Sequence, residues 1–290
     1  MTEVIAVTTC RNEVSTIRRT IESILSQTVP SFYVVVDDAS TDGTWEIVKK
    51  YECDRLKPLR MKESGIKAWD SWMRMVCGFM QGFYYASRKV PEWRYLFKFD
   101  ADVYLSPNYM ETLIKKMEQH PKLGIASGLP YTRTDHKYER MKADYDYAAD
   151  NARVYRRECW EEIGGLYPMV GFDTHASFKA LQLGWQVRNF SDAVYYEERP
   201  FGRGRPSIKW WMKYGIARCR LGYPLRHHVL MSISRIRHHP PILGSLAILM
   251  AYMISRLALD RPFPKEYYDF VKEYMLNKTR GKLLSRFMVV

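Results

Sequence analysis

Tyr95-Leu96-Phe97-Lys98-Phe99-Asp100-Ala101-Asp102-Val103-Tyr104 is the stretch from which the rest of this chain is best understood. Five mostly apolar residues predict a short buried strand, and two carboxylates follow at its end, where an open α/β sheet presents its ligand edge. Side chains two apart in extended backbone point the same way, so Asp100 and Asp102 can converge on one point in front of the strand. Two carboxylates that close repel each other unless a positive charge lies between them, and a hard divalent cation shared with a diphosphate meets that need. A polar exit from strand to turn, with Pro107 opening a helix, accounts for the same residues without a ligand.

The flanking sequence repeats the same unit. Val4-Ile5-Ala6-Val7 is an apolar run suited to a strand buried on both faces, followed by the polar loop Thr8 to Glu13 and by Val14, Ile17, Ile21, Ile24 and Leu25 at helical spacing. Phe32 to Val36 predicts a second strand ending in Asp37-Asp38, after which Ser40-Thr41-Asp42-Gly43 offers cap chemistry for a helix through Trp45, Ile47 and Val48. Successive βα units imply a parallel sheet with right-handed crossovers. A third strand is expected at Leu59 to Met61, a helical region from Lys67 to Lys89, a helix from Pro107 to His120 and a strand at Gly124 to Ser127. Leu129 to Asp150 is polar and tyrosine-rich without period, which predicts a long loop on the substrate side. Asn151 to Arg157 suits a strand and Cys159 to Ile163 a short helix ended by Gly164-Gly165. A further helix starts at Phe172-Asp173-Thr174 and closes at Gly184.

At 290 residues, 47% hydrophobic and 14% aromatic, the chain has ample material for a core and is not a disordered protein. Cysteines at 10, 53, 77, 159 and 219 form no Cys-x-x-Cys pair and are odd in number, so reduced thiols and an intracellular location are expected. The first six residues have neither a charged leader nor a long apolar core, and no signal peptide is expected. The net charge of +13 is unevenly spread: Arg199 to Leu259 holds eleven Lys or Arg and no Asp or Glu. A focused basic block suits an anionic surface or phosphates better than a groove tracking a duplex, so nucleic acid is not an expected partner.

The Thr8-Thr9-Cys10-Arg11-Asn12-Glu13 loop, Ser26-Gln27-Thr28, the run Asp37 to Thr44, Asp100-x-Asp102, Arg156-Arg157 before Ile163-Gly164-Gly165, and Gly171-Phe172-Asp173 follow one another in this order. Taken together, over about residues 3 to 195, they resemble family 2 glycosyltransferases. The resemblance implies a GT-A fold, a Rossmann-like and mostly parallel sheet flanked by helices, and an inverting transfer from a nucleotide-sugar donor. It implies that Thr9 and Glu13 lie beside the nucleoside, that Asp38 bonds the base, and that Asp100 lies near the ribose and metal shell. It further implies that Asp102 ligates Mn²⁺ or Mg²⁺ directly, and that Asp173 is the general base for the acceptor hydroxyl. Should Asp173 not serve, Asp150 and Glu197 are the next candidates. Since Ser40 and Asp42 can serve the caps, Asp38 is expected to be free for a ligand. The chain departs from the family in having Thr9 and Arg11 where Pro and Tyr are usual, and Phe172 where Glu usually precedes the base. Arg11 suits either a nucleotide contact or a salt bridge, and Asp173 either a base or a helix cap. No Gln-x-x-Arg-Trp signature follows the base, which favours a single-transfer enzyme over a polymer synthase. A sugar nucleotidyltransferase and a nucleic-acid-binding protein are the competing readings, but the first lacks its glycine- and basic-rich phosphate loop and the second leaves the carboxylates unexplained.

Two domains are expected, a catalytic one over 1–198 and a helical extension over 199–290. In the extension, Arg205, Lys209, Lys213 and Arg220 fall near one helical stripe beside Ile208, Trp211, Met212 and Cys219, and Arg203 with Arg205 could reach a diphosphate. Ile242 to Leu259 is an apolar run broken only by Arg256 and as a helix would be about 27 Å long, marginal for a bilayer core of about 30 Å. An interfacial helix, a packing or oligomer contact and a true span all fit that run. The expected setting is peripheral, on the inner face of an anionic membrane, with a lipid-linked or glycan acceptor.

Overall fold

The computed structural model describes residues 3–62, 71–134, 137–140, 148–199, 207–237 and 240–287. The chain divides into two compact units, Met1–Pro168 with Leu183–Phe201, and Met169–Gln182 with Gly202–Val290. The first contains β1 (Val4–Cys10), α1 (Ile17–Leu25), β2 (Phe32–Asp37), α2 (Thr44–Lys49), β3 (Leu56–Arg60), α3 (Ser71–Lys89), β4 (Tyr95–Asp100), β5 (Val103–Leu105), α4 (Tyr109–Gln119), β6 (Leu123–Thr134), β7 (Lys137–Arg140), β8 (Ala152–Arg156) and α5 (Arg157–Ile163). After α6 (Phe172–Gln182), which belongs to the second unit, β9 (Gln186–Glu197) completes the sheet.

The strands form one nine-stranded sheet ordered β3-β2-β1-β4-β8-β6-β9-β5, with β7 paired to β6. The first four run parallel, as the repeated βα units require, and β8 enters antiparallel between β4 and β6. Register brings the strand ends together: Cys10 pairs with Asp37, and Thr9 with Asp100. The loops after β1, β2 and β4 therefore open on one edge. β8 starts there, with Ala152 opposite Phe99, and β9 ends there, with Glu197 opposite Val103.

Burial explains why the central strands read as unbroken apolar runs. Ile5, Ala6, Val7, Val34, Val35, Leu96 and Phe97 are all fully buried, since helices cover both faces. On one face α3 lies directly on β1 and β2 because Gly78 and Gly82 remove the side chains that would hold it away. A Cβ at Gly78 would stand 2.6 Å from the Thr9 methyl, and one at Gly82 2.7 Å from a Val7 methyl.

Three expectations are corrected. The loop foreseen from Leu129 begins instead as the second half of β6 and turns into β7, because Leu129 to Thr132 pairs with Val194 to Glu197 of β9. The third strand lies at Leu56–Arg60, earlier than Leu59 to Met61, and β5 and β9 were not foreseen. β9 alternates buried and exposed residues only over part of its length, since its pairing with β6 shifts between Gly128 and Leu129.

The second unit is helical: α6, then α7 (Ile208–Arg220), α8 (Leu225–Ser234), α9 (Leu243–Leu257) and α10 (Lys265–Phe287). α6 packs Phe178 with Tyr267, Val271 and Met275 of α10. α7 closes on α9 at Gly215, where a Cβ would meet the Ile248 carbonyl oxygen at 2.3 Å. The basic stripe foreseen on α7 is partly spent inside the unit. Arg220 of that stripe pairs with Asp260 at 2.8 Å, while Arg218, which lies off the stripe, is buried with its guanidinium 3.9 Å from the centre of the Tyr223 ring. Trp211 and Cys219 are buried too, and Arg205 lies outside the described residues. α9 has 15 residues, about 22 Å, and among the described residues no helix is long and apolar enough to cross a membrane.

Gly82→Leu is expected to destabilise the fold by about 1–3 kcal/mol, read as a lower urea midpoint, because the added side chain must push α3 off β1 and β2.

Candidate functional site

The carboxyl edge of the sheet gathers Glu13, Asp37, Asp38, Asp100, Asp102, Asp150 and Glu197 from loops that lie far apart in sequence. The loop after β1 is stitched to the loop after β2. Asn12 N–H donates to Ser40 Oγ at 2.9 Å, Glu13 N–H to Thr44 Oγ1 at 2.7 Å and Val14 N–H to Asp42 Oδ2 at 3.1 Å. Asp42 also accepts the Thr44 N–H at 3.0 Å at the start of α2, whereas the side chain of Ser40 accepts from Asn12 of the neighbouring loop.

Asp38 is nevertheless not left free. It is buried, and Arg74 of α3 donates from Nε to Oδ2 at 2.9 Å and to Oδ1 at 3.1 Å. Arg11 adds bonds from Nη1 to the Asp38 carbonyl at 2.9 Å and to its carboxylate at 3.4 Å. Arg11 is thus engaged in a salt bridge with Asp38. Thr9 pairs with Val36 and Asp100 in the sheet and turns its methyl toward Gly78.

Behind Asp100 lies the residue whose importance was not foreseen. Lys98 Nζ, almost fully buried, donates to Asp100 Oδ1 at 2.7 Å, and it lies 2.8 Å from Asp150 Oδ2 and 3.2 Å from the Asp150 carbonyl. Burial works to lower the lysine's pKa, but the two carboxylates outweigh it and hold the ammonium above its ordinary range. A lone lysine in an apolar strand, two residues before an aspartate, was the signal that could have found it.

Asp102 sits a step further out and is about one quarter exposed, with Arg199 Nε donating to its Oδ2 at 3.1 Å. Burial, and then the neighbouring charge of Asp100, push its carboxyl up to about 6 against the pull of Arg199. Arg199 also bonds Oε2 of Glu13. Glu197 is buried, accepts from Thr132 Oγ1 at 2.9 Å and from the Asn151 side-chain amide, and is pushed up to about 7 by burial, with Asp102 and Asp100 adding to the effect. On β5, β6, β7 and β9, Tyr104, Tyr131, Tyr138 and Tyr196 pack ring to ring, and Arg19 lies 3.5 Å over Tyr104.

Asp173 lies in the other unit, in the first turn of α6, where its carbonyl accepts from Ser177 Oγ at 2.9 Å. Arg203 and Arg205 fall outside the described residues.

Among the described residues no three His, Cys, Asp or Glu side chains cluster so as to enclose a metal by themselves. The donor set still fits a hard divalent cation. Asp100 and Asp102 each commit one oxygen to a cationic side chain, and such ions bind through one or two carboxylates together with phosphate oxygens and water.

The model of glycosyl transferase family 2 matches residues 5–181, more than half of the chain. The chain belongs to that family. It is a glycosyltransferase, and the family decides among the three readings of the carboxylate edge. No curated protein matches it in sequence. Among solved structures, it resembles the mannosyltransferase PcManGT from Pyrobaculum calidifontis, in complex with GDP-Man and Mn²⁺. The TM-score is 0.57 at 18% identity, over 97% of this chain and 80% of that one. TarS from S. aureus in complex with UDP-GlcNAc gives 0.54 at 15%, over 89% and 73% of the two chains. GalNAc-T7 with UDP, GalNAc and Mn²⁺ gives 0.58 at 15%, over 82% of this chain and 51% of that one. At these identities the likeness is one of fold, and that fold is GT-A.

The raised carboxyls have a consequence for stability. Glu197 rises to about 7 from an ordinary 4.5 and Asp102 to about 6 from 3.8, so the folded chain holds more protons than the unfolded one between those values. Stability contributed here therefore falls as pH rises from about 4 to 7. Glu197→Gln should make the loss of urea stability between pH 5 and pH 8 smaller by about 1–2 kcal/mol.

Proposed function

We propose that this glycosyltransferase moves a sugar from a nucleotide-sugar donor to an acceptor hydroxyl with inversion at the anomeric carbon, with a divalent cation, Mn²⁺ or Mg²⁺, held at Asp102 and Asp100. The supporting observation is the pair of partly exposed carboxylates at the end of β4 in a chain of this family. When bound, the cation would neutralise the diphosphate as it leaves. Lys98 fixes the orientation of Asp100 from behind, which leaves its other oxygen for the ligand. Thr9, Arg11, Glu13 and Asp38 form the nucleoside side, and Arg203 and Arg205 are assigned to the diphosphate by their charge. Asp173 takes the proton of the acceptor hydroxyl. Transfer is single, since the processive signature is absent from the sequence.

The setting we propose is the inner surface of an anionic membrane, with a lipid-linked or glycan acceptor. The basic block supports this, and so does the outer face of the helical unit. On α9, Leu243, Leu246, Met250, Ile254 and Leu257 fall within one sector of the helix and are all exposed, as are Leu230 and Ile233 of α8. Arg226 and Arg237, on either side of that α8 pair in sequence, are exposed as well. An exposed apolar stripe only about 22 Å long suits burial in the interfacial layer and not passage across it.

Asp102→Ala should remove the Mn²⁺ dependence of nucleoside diphosphate binding in calorimetry while leaving the melting temperature near wild type. Asp173→Asn should bind donor normally yet turn over about 100-fold more slowly or worse. Unchanged metal dependence in the first variant, or full turnover in the second, would remove that residue from its role. Flotation with anionic liposomes should carry the chain up, weakly but measurably even at high salt, and Leu246→Glu with Met250→Glu should abolish the salt-resistant part.

A further inference from the structure

Arg199 reaches in from solvent, half exposed, and its guanidinium lies between carboxylates of two different loops. Nε donates to Oδ2 of Asp102 on the loop after β4, and Nη2 donates to Oε2 of Glu13 on the loop after β1. Those carboxylates are far less exposed than the arginine, at 24% and 17% against 49%. Lys98 makes the contrast plain. It too bridges two carboxylates, but it is 1% exposed inside a central strand and is fixed by the core around it. One cation at this edge is built in; the other, among the described residues, is held by the charges it neutralises.

We propose that Arg199 is an exchangeable counter-ion, which neutralises Asp102 and Glu13 while the site is without ligand, yields Asp102 to the divalent cation, and then pairs with the diphosphate of the donor. The inference rests on the metal-dependent reading above. Oδ2 of Asp102 cannot serve a guanidinium and a divalent cation at full strength, and the two positive charges repel each other across it. Displacement from Asp102 alone would leave Arg199 paired with Glu13 and beside a divalent positive charge. The diphosphate arrives with the cation and offers the geometry to which a planar guanidinium binds best, two parallel N–H···O bonds. Because one side chain holds both carboxylates, a ligand that displaces it from either loop also loosens its hold on the other.

The exchange predicts opposite effects on two ligands, which a purely structural role would not produce. In calorimetry of the full chain, Arg199→Gln should bind Mn²⁺ alone more tightly than wild type, by about threefold to tenfold, because its competitor is gone. The same variant, saturated with Mn²⁺, should bind UDP or GDP about tenfold more weakly, the cost of a lost charge-assisted bond. Arg133→Gln removes a nearby cation that pairs with Glu198, at 3.2 Å, and should change either affinity less than twofold. Arg199→Lys, the milder variant, should bind Mn²⁺ more tightly than wild type and the diphosphate more weakly, with smaller changes than Gln.

Equal Mn²⁺ affinity in wild type and both Arg199 variants, with Asp102→Ala still abolishing binding, would overturn the exchange and leave the metal site standing. Affinities for metal and diphosphate that moved together, or an Arg133→Gln effect as large as that of Arg199→Gln, would overturn it as well. Absence of Mn²⁺ binding in the wild type, with and without nucleoside diphosphate, would instead overturn the metal reading and this inference with it.

Discussion

The buried ammonium of Lys98 is the interaction on which the carboxylate edge depends. Seven acidic residues come to one end of the sheet because the parallel strands in register end there and antiparallel β8 begins there. Unneutralised, they would repel each other in a partly desolvated place. Lys98 lies under two of them, Asp100 and Asp150, and so joins the end of β4 to the start of β8. A buried ion pair of this kind is weak support for stability in itself, since desolvation offsets most of the attraction. What it provides is orientation: Oδ1 of Asp100 is held to the ammonium while the side chain stays about one third exposed.

The other charges follow an order set by depth. Asp37 and Asp38 are buried and are answered by arginines, Arg60 at 3.4 Å and Arg74 by two bonds from Nε. Asp102 and Glu197 are answered less fully, and burial raises both. Keeping both ionised costs stability as pH rises from about 4 to 7.

The helical unit answers a different constraint. Its inner faces are settled by close backbone approach, as at Gly215 against Ile248, and by aromatic packing around Phe178 and Tyr267. Its outer face is not settled within the unit, for α9 exposes five large apolar side chains in one sector. Composition alone placed an apolar run there. Which side of it faces inward is seen in its packing on α7, where Ile248 and Gly244 of α9 approach Gly215 and Trp211.

The sequence by itself determined the frame: β1, β2 and β4 as buried strands, the helices between them, and two carboxylates carried past the end of the central strand. These follow from periods of 2 and 3.6 residues, which are local and need no knowledge of where the chain returns. The family's motifs were legible for the same reason, being short and in fixed order. Tertiary structure decided who answers each charge. Arg74 meets Asp38 from 36 residues away, Lys98 meets Asp150 from 52, and Arg199 meets Asp102 from 97 and Glu13 from 186. It also turned the expected loop after Leu129 into strand, since β9 supplies a partner for residues with no strong pattern of their own. A charge or a weak strand has no local signature of its partner, because the partner is chosen by the path of the backbone in space and not by spacing along it.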